Sequence, residues 1–344
     1  MLARRSSKIL VAVGVLLIAL AAVVRFILVP ALSKLPGDLD VNPLYEGKGT
    51  LLNAQALQAG DVAHVIASDV PVTVNRHVYV SSTDGDTALA HDDITLVAPG
   101  LSVPSNHTYA IDRKTMDVAT GYSSEGVEPH SGMTIALPLH PDSSAKYQYY
   151  DFATRTTVPM NYVGTGTVSG RDVLNYSVDA KGVLRDPAIG GALPPSLPKS
   201  QVAALAPLLP ANVRDGLGGA LAQLPDPVPF TYTAVTHIDL AADRTLGSPI
   251  DAKLNQQVIA NVEIGGQTVP VMPVLSIDTA LNSKSISDAA ASARSQSMQL
   301  NLISVIAPLV LLVLGVLALL VGILRRRPRD LDHRPAPRAN VSVS

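Results

Sequence analysis

The run VPVTVNRHVYV at residues 70–80 decides the fold class of this chain. Residues two apart in a β-strand lie on one face of a sheet, so this alternation gives an apolar face and a polar face. The turn residues 82–86 follow directly and contain Asp84-Gly85, a pair favoured in tight hairpins. The segment therefore predicts a half-buried strand that pairs with its neighbour.

Short strand patterns recur on both sides of this run, and turn residues separate them. Gly265-Gly266 is expected to form another hairpin turn. Several short antiparallel strands at such spacing are typical of an antiparallel sandwich or barrel. The predicted strands lie at residues 94–97, 108–112, 134–137, 146–152, 162–169, 173–178, 231–240, 257–264 and 268–275.

A segment rich in proline, alanine and leucine, residues 195–226, interrupts the strands and has a helical period. Pro207 and Pro210 separate an earlier helix, near residues 200–206, from a second one. The apolar stripe of the second helix either packs on the sheet or contacts a lipid or a partner protein. Its candidate ligand or partner contact residues are Val213, Leu217, Leu221 and Leu224.

Two apolar segments, residues 9–29 and 302–324, lie near the ends of the chain. About 20 residues of helix cross a bilayer core of about 30 Å. A cleaved signal peptide is the alternative for the first segment, but no A-x-A-like site follows it. We therefore expect two transmembrane helices that flank a β-rich α+β domain at residues 30–284, with a helical stalk at residues 285–301.

Basic residues lie on the outer side of each apolar segment. The N-terminus, residues 1–8, contains Arg4 and Arg5, and the tail, residues 325–344, begins with three arginines. Lysine and arginine favour the cytoplasmic side of a membrane. We expect a two-pass protein of the cell membrane with both termini in the cytoplasm, a disordered basic tail and an extracytoplasmic domain.

Composition excludes several classes of protein. The net charge is −2, which gives no reason to expect a nucleic-acid partner. The chain has no cysteine, which excludes disulfides, thiol catalysis and cysteine metal sites. An exported domain of this size without disulfides fits a bacterial envelope better than an animal cell surface.

No motif with the spacing of a catalytic or metal site is found. The eight histidines are scattered, and His91-Asp92-Asp93 is better interpreted as a solvated turn than as a metal site. Ser143 and Lys146 match S-x-x-K, but the companion motifs of penicillin-binding enzymes are missing. The sequence predicts a non-enzyme with no catalytic residue, no metal and no cofactor.

Five stretches carry a resemblance to a known family: Tyr109–Thr115, Gly132–Leu139, Lys146–Asp151, Gly170–Tyr176 and Thr236–Asp239. Together with the two apolar ends, they resemble the actinobacterial membrane-protein family called DUF3068, or the PorA family. The resemblance spans nearly the whole chain and implies an envelope protein of mycobacteria, corynebacteria or their relatives. Its motifs mark the family and transfer no catalytic residue.

Members of that family are linked to maturation of lipomannan and lipoarabinomannan, or are named as porins. The resemblance thus implies a non-enzymatic accessory protein of lipoglycan assembly, which binds a lipid-linked substrate or a membrane enzyme at the outer face. The expected partners are the bilayer, a lipid or lipoglycan ligand and envelope glycosyltransferases. The alternatives are a receptor or sensor of lipid ligands that resembles scavenger receptors, or a pore-associated protein.

Overall fold

The computed structural model describes residues 2–122, 125–209 and 211–325. They form two compact units. One unit contains the described residues up to Leu32 and from Gln299 onward, and the other is Ser33–Met298. Residues 326–344 of the predicted basic tail lie outside the described residues.

The helices and strands are numbered in chain order. The helices are α1 Leu2–Val23, α2 Val29–Leu32, α3 Ala54–Ala59, α4 Pro187–Gly191, α5 Lys199–Leu205, α6 Ala211–Ala220, α7 Ser283–Asn301 and α8 Ala307–Leu324. The strands are β1 Asp40–Val41, β2 Leu44–Leu52, β3 Ile66–Asp84, β4 Thr87–Ala98, β5 Leu101–Asp112, β6 Gln148–Asp151, β7 Thr156–Val168, β8 Arg171–Val183, β9 Ser196–Leu197, β10 Val228–Pro229, β11 Thr231–Asp243, β12 Pro249–Ile264 and β13 Gln267–Leu281.

The first unit is an antiparallel pair of apolar helices, α1 and α8. Both belong to helical stretches that are long and apolar enough to cross a membrane. Their backbones approach closely because glycines face the partner helix: a Cβ built at Gly315 would lie 2.8 Å from Ile18 Cγ1 and 3.0 Å from the Gly14 carbonyl oxygen. The Ser7 hydroxyl donates a hydrogen bond of 2.6 Å to the Gly322 carbonyl oxygen.

The second unit is built on one antiparallel sheet, which contains eleven strands among the described residues. Ten of them follow the order β5-β4-β3-β2-β13-β12-β11-β8-β7-β6, and β1 pairs with β3. Two runs of hairpins are thus joined where the first long strand, β2, pairs with the last, β13. The predicted turns are confirmed, with positive φ at Gly85, Gly265 and Gly266.

The sheet curls so that its edge strands, β5 and β6, approach each other, and an irregular segment at residues 128–133 bridges them. The Glu128 N–H donates to the Thr108 carbonyl oxygen of β5 at 2.8 Å. The Met133 N–H donates to the Gln148 carbonyl oxygen of β6 at 2.8 Å. The fold is therefore one curled sheet of the half-barrel type, and the alternative of a two-sheet sandwich was wrong.

The strand predicted at residues 134–137 was also wrong. This stretch is irregular, and it follows Gly132, whose φ is +82°. Its apolar residues fill the interior of the curl: Ile135 and Leu137 are buried. The alternating pattern therefore reflects side chains that enter a core, without a ladder of backbone hydrogen bonds.

The segment between β8 and β11, which holds α4 to α6, packs against the main hydrophobic cluster of this unit, which is distinct from the cluster around Ile135 and Leu137. Val202 and Leu205 of α5 belong to the same buried cluster as Val258 and Ala260 of β12. The helix predicted as a stalk is α7, and its residue Ala290 packs in a separate cluster with Ile250 and Val173.

Candidate functional site

The concave face of the sheet encloses an apolar cavity of about 1170 Å³, measured out to its open mouth. Alternate residues of the long strands point inward, because side chains alternate across a strand. This volume includes the open solvent at the mouth, so the enclosed part of the cavity is smaller. The aliphatic and aromatic lining includes Tyr45, Val74, Ile94, Leu96, Val103, Ile135, Phe152, Met160, Ile238, Leu240, Leu254, Leu275 and Ile277.

Two polar side chains lie opposite each other in this wall. Thr236 on β11 and Gln256 on β12 are direct partners in the antiparallel register. They are 2% and 4% exposed. Six buried side-chain polar atoms of the described residues have no hydrogen-bond partner, and three of them belong to this lining: Thr134 Oγ1, Thr236 Oγ1 and Gln256 Nε2.

Sequence reasoning missed this pair because the strand was predicted to begin at residue 257. A usable signal exists, since Thr236 and Gln256 occupy inward positions that their own strands otherwise give to apolar residues. The flanking inward residues are Ala234 and Ile238 on β11, and Leu254 and Val258 on β12.

One charged side chain of the lining, Arg76, is already paired. Its Nε and Nη2 donate to the two carboxylate oxygens of Asp92 at 2.7 and 2.6 Å. Such a bidentate pair satisfies both charges. The interpretation of His91-Asp92-Asp93 as a solvated turn was wrong, because all three residues lie in strand β4 and the Asp92 carboxylate is buried.

A second cluster lies beside the gap between β5 and β6. His107 Nδ1 is 2.9 Å from Glu128 Oε2, and His107 Nε2 is 2.9 Å from Ser105 Oγ. The Ser105 hydroxyl donates to Asp186 Oδ2 at 2.6 Å. Glu128 also accepts from the Tyr150 hydroxyl of β6 at 2.8 Å. The cluster thus ties β5, the bridging segment, β6 and the start of α4 together.

The spacing of Ser105, His107 and Glu128 resembles a hydrolytic triad, but the charges differ. Burial alone would lower the pKa of His107, yet its hydrogen bonds with Asp186 and Glu128 outweigh burial and raise that pKa to about 9. A triad needs a neutral imidazole that accepts the serine proton. Here the imidazole is protonated at neutral pH, and Asp186 receives the serine hydrogen bond. This arrangement compensates charge and does not activate a nucleophile.

The structure places three of the predicted contact residues on the core. Val213, Leu221 and Leu224 are half-buried and pack against the main hydrophobic cluster. The side chain of Leu217 lies outside the described residues. Helix α6 ends at Ala220, so Leu221 and Leu224 lie beyond it. Their proposed contact with lipid or a partner stays a prediction.

Comparison with known proteins gives one informative match, to the model of the family described as porin PorA, over residues 6–324. No curated protein matches the chain. A MaoC-like dehydratase from Phytophthora capsici is 9% identical, with a TM-score of 0.15 over 72% of this chain and 74% of that chain. A double-hotdog-fold protein from Mycobacterium tuberculosis is 13% identical, with a TM-score of 0.13 over 78% and 80%. At these TM-scores neither likeness carries an argument.

Proposed function

The chain belongs to the PorA porin family, and we propose that it is a non-enzymatic, membrane-anchored lipid-binding protein of the cell envelope. The apolar cavity inside the curled sheet carries this proposal. A mostly apolar pocket with a few polar groups is the usual form of a site for a hydrophobic ligand. The acyl chains of a lipid match such a lining.

The apolar face of the sheet lies inside the domain, which supports lipid binding in the interior and argues against a transmembrane pore formed by these strands. Transmembrane barrels carry an apolar band outside and a polar lumen inside. In β3 the inward residues Val72, Val74 and Val78 are buried, whereas the outward Asn75 is exposed. This is the pattern of a domain that keeps its apolar face inside.

The proposed topology places α1 and α8 in the membrane, with both termini in the cytoplasm and the β-rich domain outside. The antiparallel packing of the two helices supports this, because it puts Ser7 and Gly322 at the same end of the pair. The basic residues beside both ends favour the cytoplasmic side.

The proposed role is accessory to lipoglycan assembly. The protein would hold a lipid-linked substrate in its cavity and offer it to an envelope glycosyltransferase at the outer face. The family match supports an envelope protein, the cavity supports a hydrophobic ligand, and the protonated imidazole beside Ser105 supports a function without catalysis.

Mass spectrometry of lipids extracted from the purified full-length chain tests the proposal. The matched variants are Ala252→Phe, which fills the cavity, and Val235→Phe on the outward face of β11. We expect the wild type and Val235→Phe to carry a lipid that Ala252→Phe loses, while all three keep a cooperative thermal unfolding transition. Equal lipid content in the two folded variants would refute binding in the cavity.

A further inference from the structure

Two buried polar side chains without hydrogen-bond partners, Thr236 and Gln256, lie side by side in the wall of the apolar cavity. The neighbours on either side of this pair in the sheet cannot satisfy them. Thr236 lies opposite Ala180 on β8, and Gln256 lies opposite Ile277 on β13. Both neighbours are apolar and offer no hydrogen-bond partner, so the contents of the cavity are the source left for the threonine hydroxyl and the glutamine amide.

Buried polar groups in native proteins nearly always have a partner. Within the described part of the chain, Thr236 Oγ1 and Gln256 Nε2 have none. A cavity that served only for hydrocarbon would be better lined by valine and leucine at these positions. The pair therefore indicates a ligand with a polar atom along its apolar length.

We propose that Thr236 and Gln256 form a subsite for the ester carbonyl of an acylated lipid whose chain fills the cavity. This inference rests on the proposed lipid-binding function. A carbonyl oxygen has two lone pairs, so it can accept from the glutamine N–H and from the threonine hydroxyl together.

A neutral group fits the charges nearby better than an anion does. The guanidinium of Arg76 is neutralised by Asp92 through two hydrogen bonds. Lys253, another cation of the lining, is exposed to solvent. An anionic headgroup has no buried, unpaired cation to bind in the described lining, whereas an ester carbonyl needs only donors.

The test uses two probes that differ at one group, 1-palmitoylglycerol with an ester and 1-O-hexadecylglycerol with an ether. Both are added in equal amounts to the full-length chain in detergent, and native mass spectrometry measures the ratio of bound ester to bound ether. The variants are Thr236→Val and Gln256→Leu. Gln257→Leu is the matched control, because Gln257 is the next residue on β12 and points to the opposite face.

We expect the wild type and Gln257→Leu to prefer the ester by roughly five-fold, about the effect of one net hydrogen bond. Thr236→Val and Gln256→Leu should bind both probes with a ratio near one and unfold at no lower temperature than the wild type. Equal binding of both probes by the wild type would overturn the proposed ester subsite, since water alone would then occupy the place beside Thr236 and Gln256. The proposal that the cavity binds a lipid would still stand. A preference that persists in both variants, or that Gln257→Leu also loses, would overturn the ester subsite too. Binding of neither probe would refute the proposed function itself.

Discussion

Among single residues, His107 is central to the contact between the two edge strands of the sheet, β5 and β6. Its ring lies between Glu128 and Asp186, which come from separate segments of the chain. Burial alone would raise the pKa of both carboxyl groups, but their hydrogen bonds, with His107, Tyr150 and Ser105 among the donors, outweigh burial and lower the pKa of each. All three groups are therefore charged at neutral pH, and loss of one would leave a buried charge without compensation.

The raised pKa of His107 predicts that stability depends on pH. A group whose pKa is higher in the folded state stabilises it fully below the unfolded value of about 6.5 and loses this effect as the pH rises through the folded value. The melting temperature of the full-length chain should thus fall between about pH 6.5 and pH 9, where the pKa of His107 lies. His107→Gln should flatten this slope.

The control for this prediction is His237→Gln. The hydrogen bond to Asp179 raises the pKa of His237, but this histidine lies on the exposed face, where solvent screens the pair. Its variant should follow the wild-type curve. A wild-type slope that His107→Gln leaves unchanged would contradict the role given to this imidazole.

Ser105 gives a second prediction at this scale, because its hydroxyl donates to Asp186 and its neighbouring imidazole is protonated. A fluorophosphonate probe should therefore leave the full-length chain unlabelled at neutral pH. Intact-mass measurement of the wild type and Ser105→Ala provides the readout. A labelled wild type beside an unlabelled Ser105→Ala would reveal an active serine and contradict the non-enzymatic account.

At the scale of elements, the close approach of α1 and α8 depends on glycine. Gly315→Leu should separate the helices, because a Cβ there would lie 2.8 Å from Ile18 Cγ1. The chain has no cysteine, so a pair introduced as Val11→Cys and Leu319→Cys, at two side chains that face the partner helix, reports the contact by cross-linking with a short bismaleimide. We expect the yield of cross-link to fall several-fold with Gly315→Leu.

The matched control is Val316→Leu, at the next residue, which is 41% exposed. It should cross-link as the parent cysteine pair does. An undiminished cross-link with Gly315→Leu would show that the helix pair does not depend on the close glycine contact.

The inserted segment gives another prediction at this scale. Leu221 is half-buried against the main core, so Leu221→Asp should lower the free energy of unfolding by roughly 2 kcal/mol, since it removes apolar burial and places a charge beside apolar groups. The exposed neighbouring change Ala222→Asp is the control. Denaturant unfolding of both variants measures the difference. Equal stability, with loss of bound lipid only in Leu221→Asp, would instead support the contact role predicted from the sequence.

At the scale of the whole molecule, local pattern predicted the hairpins well. The alternation at residues 70–80 and the Asp84-Gly85 turn give β3 and β4, because strand burial and turn geometry depend on neighbouring residues. The irregular bridge at residues 128–133 has no period, so the sequence does not show that it joins β5 to β6. The same holds for the cluster of Ser105, His107, Glu128 and Asp186, whose members are distant in sequence.

The cavity could not be predicted for a related reason. Alternating strands show which face is apolar, but they do not show whether that face packs solidly or encloses space. The pairing of β2 with β13, and the curl that follows from it, decide this point. Thr236 and Gln256 lack hydrogen-bond partners because the curled sheet places their side chains against the cavity.

Photo-crosslinking tests most directly whether the cavity binds a lipid chain. A palmitic acid analogue with a diazirine in the middle of its chain is added to the full-length protein, irradiated, and mapped by peptide mass spectrometry. We expect adducts at inward residues such as Leu240, Ala252 and Ile277, with their yield reduced in Ala252→Phe. Adducts confined to α1 and α8, with none on the strands that line the cavity, would contradict it.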